Sequence, residues 1–378
     1  MVAIPERDGA DGMTNTKSIT IRAVGDVCLQ GVDGDPFDHV AGELEADLLI
    51  GNLECALTSR VDGAPRKIVF SAPPDSAEHL ARRRFDLVCL ANNHVLDFGA
   101  EGLLDTLKAL EERGVGYFGA GRNAAEARRI VYLERNGLRI AILSAADAAG
   151  ANAKGPTISV LSLRALAEAV KEARSGADLV IVSYHGGIEL ELLPSPFVVR
   201  GLRGLVDAGA DVVLAHHPHV LQPVEIYKDR LIAYSLGNFV FDNSRYGEKA
   251  SLAAMGAILH LAIRFSAQGD RGWGVQEIDH RYVPVSIGGD RKPTLLTAVA
   301  LAEFERHIRN LESRLVGVNS VGADVKRMDN LARQFHRKST GTIIRYAVRH
   351  LRDFSAREIL LGAGLVLKHT FGRRSASK

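Results

Sequence analysis

Cysteine is scarce in this 378-residue chain: three residues, Cys28, Cys55 and Cys89. An odd number without paired spacing excludes a disulfide framework and a structural zinc knuckle. All three lie at or near the ends of apolar runs and read as small core residues. Long apolar runs are missing as well. No stretch approaches the roughly 18 to 20 unbroken apolar residues that span a bilayer. The first residues, MVAIPERDGADGMTNTKS, contain no apolar export core. That absence points to a cytoplasmic protein, with residues 1–17 expected to be disordered. Aromatics make up 6% of the chain, and no basic stripe interleaves with them, which argues against a nucleic-acid partner. There is no Gly/Ser or Pro linker, and no repeat with a period of roughly 20–50 residues.

What is present is the composition of a soluble globular protein, 46% hydrophobic and 24% charged. The net charge of +2 conceals an asymmetry. Residues 305–378 hold 16 Lys/Arg against 6 Asp/Glu, a surplus of +10 that leaves −8 for the rest. The basic tail therefore differs in kind from the acidic body.

Six short apolar runs each break off at a residue suited to metal binding. Ile19–Val24 stops at Gly25-Asp26, and Asp47–Ile50 at Gly51-Asn52-Leu53-Glu54. Leu87–Leu90 stops at Ala91-Asn92-Asn93-His94, and Leu179–Val182 at Ser183-Tyr184-His185. Val212–Leu214 stops at Ala215-His216-His217-Pro218-His219, and Leu231–Tyr234 at Ser235-Leu236-Gly237-Asn238. Such runs read as buried strands. Between them lie amphipathic segments at Glu101–Arg113, Ser162–Ser175 and Ser195–Asp207, the last two opened by a capping serine. Strands alternating with helices predict βαβ units, whose ligands sit beyond the carboxyl ends of the strands. Leu138–Leu143, Ala257–Phe265 and Tyr282–Ile287 read as further strands. From about Leu295 the texture is helical, over Ala298–Leu315, Val325–Arg337 and Thr342–Leu351.

A two-metal site needs oxygen and imidazole donors from several strands, and one carboxylate able to bridge ions about 3.5–4 Å apart. Asp26, Glu54, Asn93, His185, His217 and His219 supply such a set. Its histidines suit Mn, Fe or Zn, whereas oxygen donors alone would suit Mg or Ca. In extended chain His217 and His219 project to one side, and His216 to the other, into packing.

Taken together, the six blocks resemble the CapA family, the capsule and poly-γ-glutamate biosynthesis group within the calcineurin-like metallophosphoesterases. They run from Gly25-Asp26 through Ala91–Gly99, Tyr184–Glu189 and His216–Pro223 to Tyr234–Asp242, in the family's order within residues 18–290. The resemblance implies a four-layer αββα sandwich with a dinuclear site at its edge; beyond it, charge and helical texture predict a basic helical extension over 291–378. Asp26 resembles the first-metal ligand, and Glu54 stands where the wider superfamily has its bridging aspartate. Asn93, His185 and His217 match the second metal, and His219 returns to the first. His94 matches the histidine that assists the leaving group. Glu189, Ser235 and Asn238 are candidates for lining the pocket. One departure concerns Cys28, which occupies the place of the histidine in the superfamily's Asp-x-His motif.

The expected activity is metal-dependent hydrolysis or transfer, in which His94 protonates the departing oxygen and Glu54 bridges two divalent ions. The expected substrate is an anionic polymer, a peptide or a phosphoester. A peptide Cα-epimerase on the same fold is one alternative. A non-catalytic, polymer-binding scaffold of a membrane synthase is another. For the scaffold, the apolar run Ile359–Phe371, flanked by Arg352, Arg357, Arg373 and Arg374, offers a peripheral membrane contact.

Overall fold

A computed structural model describes residues 16–65, 68–148, 154–269 and 272–319. The chain divides into two compact units between Glu312 and Ser313. The helices expected over Val325–Arg337 and Thr342–Leu351 and the apolar run Ile359–Phe371 lie outside the described residues. Thr16 and Lys17, expected to belong to a disordered N-terminal segment, already pair with Ser266 and Phe265 as sheet.

Within the first unit the chain lays down four parallel strands: β1 (Thr16–Val27), β2 (Leu48–Leu53), β3 (Leu87–Cys89) and β4 (Gly116–Phe118). Parallel strands covered on both faces lose the polar alternation of an exposed sheet, and every residue of β2 is buried. Helix α1 (Gly99–Glu112) links β3 to β4 and buries Leu103, Leu107 and Leu110, at helical spacing.

A second sheet follows: β5 (Val131–Arg135), β6 (Leu138–Ala146), β7 (Leu179–His185), β8 (Val212–His216), β9 (Val224–Tyr227) and β10 (Arg230–Ala233). Its spatial order is β9-β10-β8-β7-β6-β5, with the four inner strands parallel. The crossovers are α2 (Leu163–Arg174) and α3 (Pro196–Asp207). Ser162 Oγ accepts from Ala165 N–H and Ser195 Oγ from Val198 N–H, so both expected caps are formed. Each cap contributes about 1 kcal/mol by satisfying an orphan amide of the first turn.

The chain then returns to the first sheet with β11 (Asn238–Val240), β12 (Met255–Ala267), β13 (Trp273–Ile287) and β14 (Pro293–Leu295). That sheet has eight strands, ordered β14-β13-β12-β1-β2-β3-β4, with β11 pairing in parallel to β1. Helix α4 (Ala298–Leu315) is the expected start of the helical extension, and its Phe304 packs edge-on against Tyr282 of β13.

The period of two along each strand separates the layers. Ile140, Ile142, Leu179, Ile181, Val212 and Leu214 share one core with Ile19, Ile21, Leu259 and Leu261 of the first sheet. Their neighbours Leu143, Val180, Val182 and Val213 are equally buried on the other face, which α2 and α3 cover. The result is the expected αββα sandwich. Each fully buried Leu, Ile or Val contributes about 1.5–3 kcal/mol of transfer free energy.

Among the described residues no helix is long and apolar enough to cross a membrane. The three cysteines are buried and free. Cys28 hydrogen-bonds to Cys55 and belongs to the core.

Candidate metal centre

The carboxyl ends of the two sheets meet. Asp26, at the end of β1, places Oδ1 3.3 Å from His216 Nδ1, at the end of β8, and Oδ2 3.3 Å from His219 Nδ1. Asn52, in β2, donates from Nδ2 to Asp26 Oδ1 at 2.8 Å. Asp26 is completely buried. Burial opposes its ionisation, but the contacts with His216 and His219 outweigh it and hold the carboxyl well below the usual range.

Glu54, just past β2, is also completely buried, and neither of its carboxyl oxygens has a hydrogen-bond partner. Its Oε1 lies 3.4 Å from His185 Nε2 and 3.8 Å from His219 Nε2. Burial, and then the charge of Asp26, push its carboxyl well above the ordinary range. A buried carboxylate without partners costs several kcal/mol. A cation among the imidazoles is the partner this geometry suits.

Four imidazoles surround the two acids. His185, the last residue of β7, puts Nε2 2.6 Å from Asn93 Oδ1, and its ring centre lies 5.0 Å from that of His217. Burial and the neighbouring His217 keep His185 well below the usual histidine range, and burial lowers His217 too. Neutral imidazoles are the form that binds metal. Burial alone would also lower His219, but its contact with Asp26 raises it. His219 Nδ1 is 2.9 Å from Asn238 Oδ1, which leaves Nε2 toward Glu54.

Donor atoms from two sets approach within 4.8 Å of one another: Asp26, Glu54 and His185, and Glu54, His217 and His219. Glu54 is common to both, the position a bridging carboxylate occupies in a dinuclear centre. Asp26 lies 3.3 Å from His219, and Asn93 2.6 Å from His185, pairs expected to share a metal. The two donor sets cut across the expected division of ligands.

The expectation that His216 turns into packing is corrected. It assumed an extended chain through His216–His219. Instead φ is +98° at His217 and +57° at His219, so the chain bends and His216 Nδ1 stays toward Asp26. Positive φ at residues bearing a Cβ costs about 1–3 kcal/mol each and persists only where the surroundings hold it. Here the Pro218 carbonyl accepts from Leu190 N–H at 2.8 Å.

His94 follows Asn93 in the turn after β3. Its Nδ1–H donates to Asp97 Oδ2 at 2.7 Å, and its ring centre lies 4.1 Å from that of Phe70. Phe70 N–H donates to the same Asp97 oxygen. An ionised carboxylate only accepts, so this contact fixes the tautomer and leaves Nε2 as the working nitrogen.

The three pocket candidates separate. Glu189 is exposed, and its charge acts on Glu54, His217 and His219. Ser235 is fully buried, and its Oγ accepts from Gly237 N–H within the turn. Asn238 is fully buried as well, its amide engaged with His219, Asn243 and the Ala253 carbonyl. Ser235 thus shapes a turn, and Asn238 orients His219. Sequence reasoning passed over Asn52, Asn92 and Asp97. Asn92 donates to Asn52 Oδ1 and the Leu53 carbonyl and accepts from His94 and Val95 N–H, tying β2 to the turn that carries Asn93 and His94.

A family model described as bacterial capsule synthesis protein PGA_cap matches residues 20–243, a span that includes every donor named above. The chain belongs to the PGA_cap family. A capsule biosynthesis protein CapA of Bacillus anthracis is 39% identical over 213 residues, covering 54% of this chain and 51% of that protein. A PGA biosynthesis protein CapA of Bacillus subtilis is 36% identical over 204 residues, covering 52% of this chain and 54% of that protein. The chain therefore spans about half the length of these curated PGA_cap relatives. Among solved structures, a phosphatase from Mycoplasma pneumoniae overlaps 72% of this chain and 95% of its own, at TM-score 0.44 and 14% identity.

Proposed function

We infer that this chain is a metal-dependent hydrolase that acts on an anionic substrate in the synthesis of a capsule or poly-γ-glutamate type of polymer. The observation that carries the reading is Glu54, a buried carboxyl group whose two oxygens accept no hydrogen bond and which is shared between two sets of donors. Asp26, Glu54, Asn93, His185, His217 and His219 would hold two divalent ions, of Mn, Fe or Zn. His216 is near enough to Asp26 to join them or to orient it. When bound, such ions polarise the substrate and lower the pKa of water at the site.

The chain's own groups do the rest. Asn238 and Asn52 hold His219 and Asp26 in place through hydrogen bonds of 2.9 and 2.8 Å. His94 Nε2 carries the proton that the departing oxygen takes up, while Asp97 steadies the charged ring through Nδ1.

The test is a turnover screen of phosphomonoesters, phosphodiesters and γ-linked glutamyl peptides, with protein reconstituted in Mn, Fe or Zn. Asp26→Ala and Glu54→Gln serve as controls, and metal content is measured alongside. Metal-dependent turnover that both substitutions abolish, with loss of bound metal, is the expected result. Unchanged metal content and turnover in both variants would refute the reading. Deuterium uptake into a peptide without cleavage would move the assignment to epimerisation.

A further inference from the structure

Arg245 lies just past β11, in the turn Asn243–Lys249 and beyond the span that the family model matches. We propose that Arg245 is the anion anchor of the site, binding the carboxylate or phosphate oxygens of the substrate beside the metal cluster. The proposal rests on the metal-site reading only for the place where the anion ends up.

The guanidinium is mounted on aromatic rings. Its central carbon lies 3.9 Å from the centre of the Phe70 ring, 5.3 Å from Phe241 and 5.8 Å from Tyr246. A guanidinium seated on aromatic rings makes no hydrogen bonds to them, and its planar fork of N–H donors suits bidentate capture of an oxyanion. Among the described residues no carboxylate forms an ion pair with Arg245, and its buried Nε has no hydrogen-bond partner. The other arginine of this region is committed: Arg291 pairs with Asp242 and donates to the carbonyls of Gln30 and Gly31.

The same rings reach the catalytic groups. Phe70 lies 4.1 Å from the His94 ring. Phe241 and Tyr246 lie 4.9 and 5.7 Å from the His219 ring, centre to centre. Arg245 therefore stands one aromatic ring away from both the proposed proton donor and a proposed metal ligand. The platform is itself fastened. Asp242 accepts from Ser244 N–H and pairs with Arg291, and Asn243 Oδ1 accepts from Asn238 Nδ2.

A cation at this place suits an anionic substrate. In the metal-stripped protein Asp26 and Glu189 bear on this region with one sign and Arg245 with the other, so Arg245 is an offset to those acids for an approaching carboxylate or phosphate. Arg245 offers that offset at fixed geometry and with little entropy to lose, because its stacking has already ordered the side chain.

The experiment measures anion affinity, not turnover. Wild type, Arg245→Gln and Arg245→Lys are titrated by calorimetry with orthophosphate and with glutarate, each both metal-stripped and Mn-loaded. Metal content and thermal midpoint are recorded for every protein. The expected result is that Arg245→Gln weakens at least one anion about tenfold or more, in the metal-stripped protein as well, with metal content and midpoint unchanged. Arg245→Lys is expected to recover only part of the loss, since an ammonium lacks the planar fork. Loss with phosphate alone identifies a phosphoryl group as the natural anion, and loss with glutarate alone a carboxylate. Equal affinities in wild type and Arg245→Gln for both anions, or no anion binding by the metal-stripped wild type, would overturn the proposal. Failure of Mn to bind the wild type would instead count against the metal-site reading and leave the metal-stripped comparison standing.

Discussion

His94 and Asp97 are joined by a 2.7 Å contact, Nδ1 to Oδ2, in the turn that follows β3. On the proposed reading the carboxylate fixes which nitrogen of His94 donates the proton and offsets the charge of the ring once it is protonated. Asp97→Asn keeps an oxygen to accept from Phe70 N–H but removes that charge. We expect kcat to fall about 10- to 100-fold, less than the full worth of a general acid. KM and metal content should stay near wild type. A purely structural Asp97 would instead lower the thermal midpoint and leave kcat alone, so both are measured.

Glu54 and Asp26 have opposite pH signatures in the metal-stripped protein. The folded carboxyl of Glu54 titrates above its ordinary value of 4.5, so ionising it costs stability as pH rises from that value toward its folded pKa. Asp26 titrates below its ordinary 3.8, so its contribution is present above that value and lost on acidification. Glu54→Gln should therefore match wild type near about pH 4.5 and melt a few degrees higher at about pH 8, both in chelator. Excess Mn should reverse the order, because wild type gains binding energy that the amide forgoes. Melting curves at the two pH values, with and without Mn, check both signs. An unchanged midpoint at the higher pH in chelator would mean that the folded Glu54 carboxyl is not raised above its ordinary value.

Six strand ends were legible in the sequence because parallel buried strands are bounded apolar runs, and βα topology sends their carboxyl ends to one edge. Asp26, Glu54, Asn93, His185, His217 and His219 each stand at such an end, and the structure brings them together. The misreadings arise where backbone direction matters more than residue type. His216 was assigned by strand alternation, which fails once His217 and His219 take positive φ. Ser235 and Asn238 looked like lining because they end a run. What the run could not show is that both are buried and hydrogen-bonded, Ser235 within its turn and Asn238 to His219. Asp97 and Arg245 carry no periodic signal, since their meaning comes from neighbours distant in sequence, the Phe70 ring above all.

Asp211 ties the second sheet together away from the metal site. It is buried and pairs with Arg174 at 2.6 Å and Arg230 at 2.8 Å, and it accepts from Val180 N–H at 2.8 Å. Removing one partner of a buried charge network strands the others. Asp211→Ala should cost about 3–5 kcal/mol in urea denaturation. Double replacement with Arg174→Met should cost less than the sum of the two single changes, because the contacts are coupled. Strict additivity would show that the pairs do not interact.

Gly25 sets the position of Asp26. A Cβ at residue 25 would lie 2.0 Å from the Gly237 carbonyl oxygen, and that same carbonyl accepts from Asp26 N–H at 3.0 Å. The clash is with backbone, so no side chain can swing aside to relieve it. On the far side Gly256 is equally confined, its would-be Cβ 1.9 Å from the Asn238 carbonyl oxygen. β1, β11 and β12 are thus held at glycine spacing where Asp26 leaves the sheet. Gly25→Ala must push β1 away from β11, which moves Asp26 from His216 and Asn238 from His219 together. We expect a loss of about 1–3 kcal/mol of stability, the usual cost of overpacking a tight core. Metal content should drop below that of Gly204→Ala, a substitution with open space around the added methyl. Metal analysis of the two variants beside wild type is the check. Full metal loading in Gly25→Ala would show that the centre tolerates displacement of its first strand.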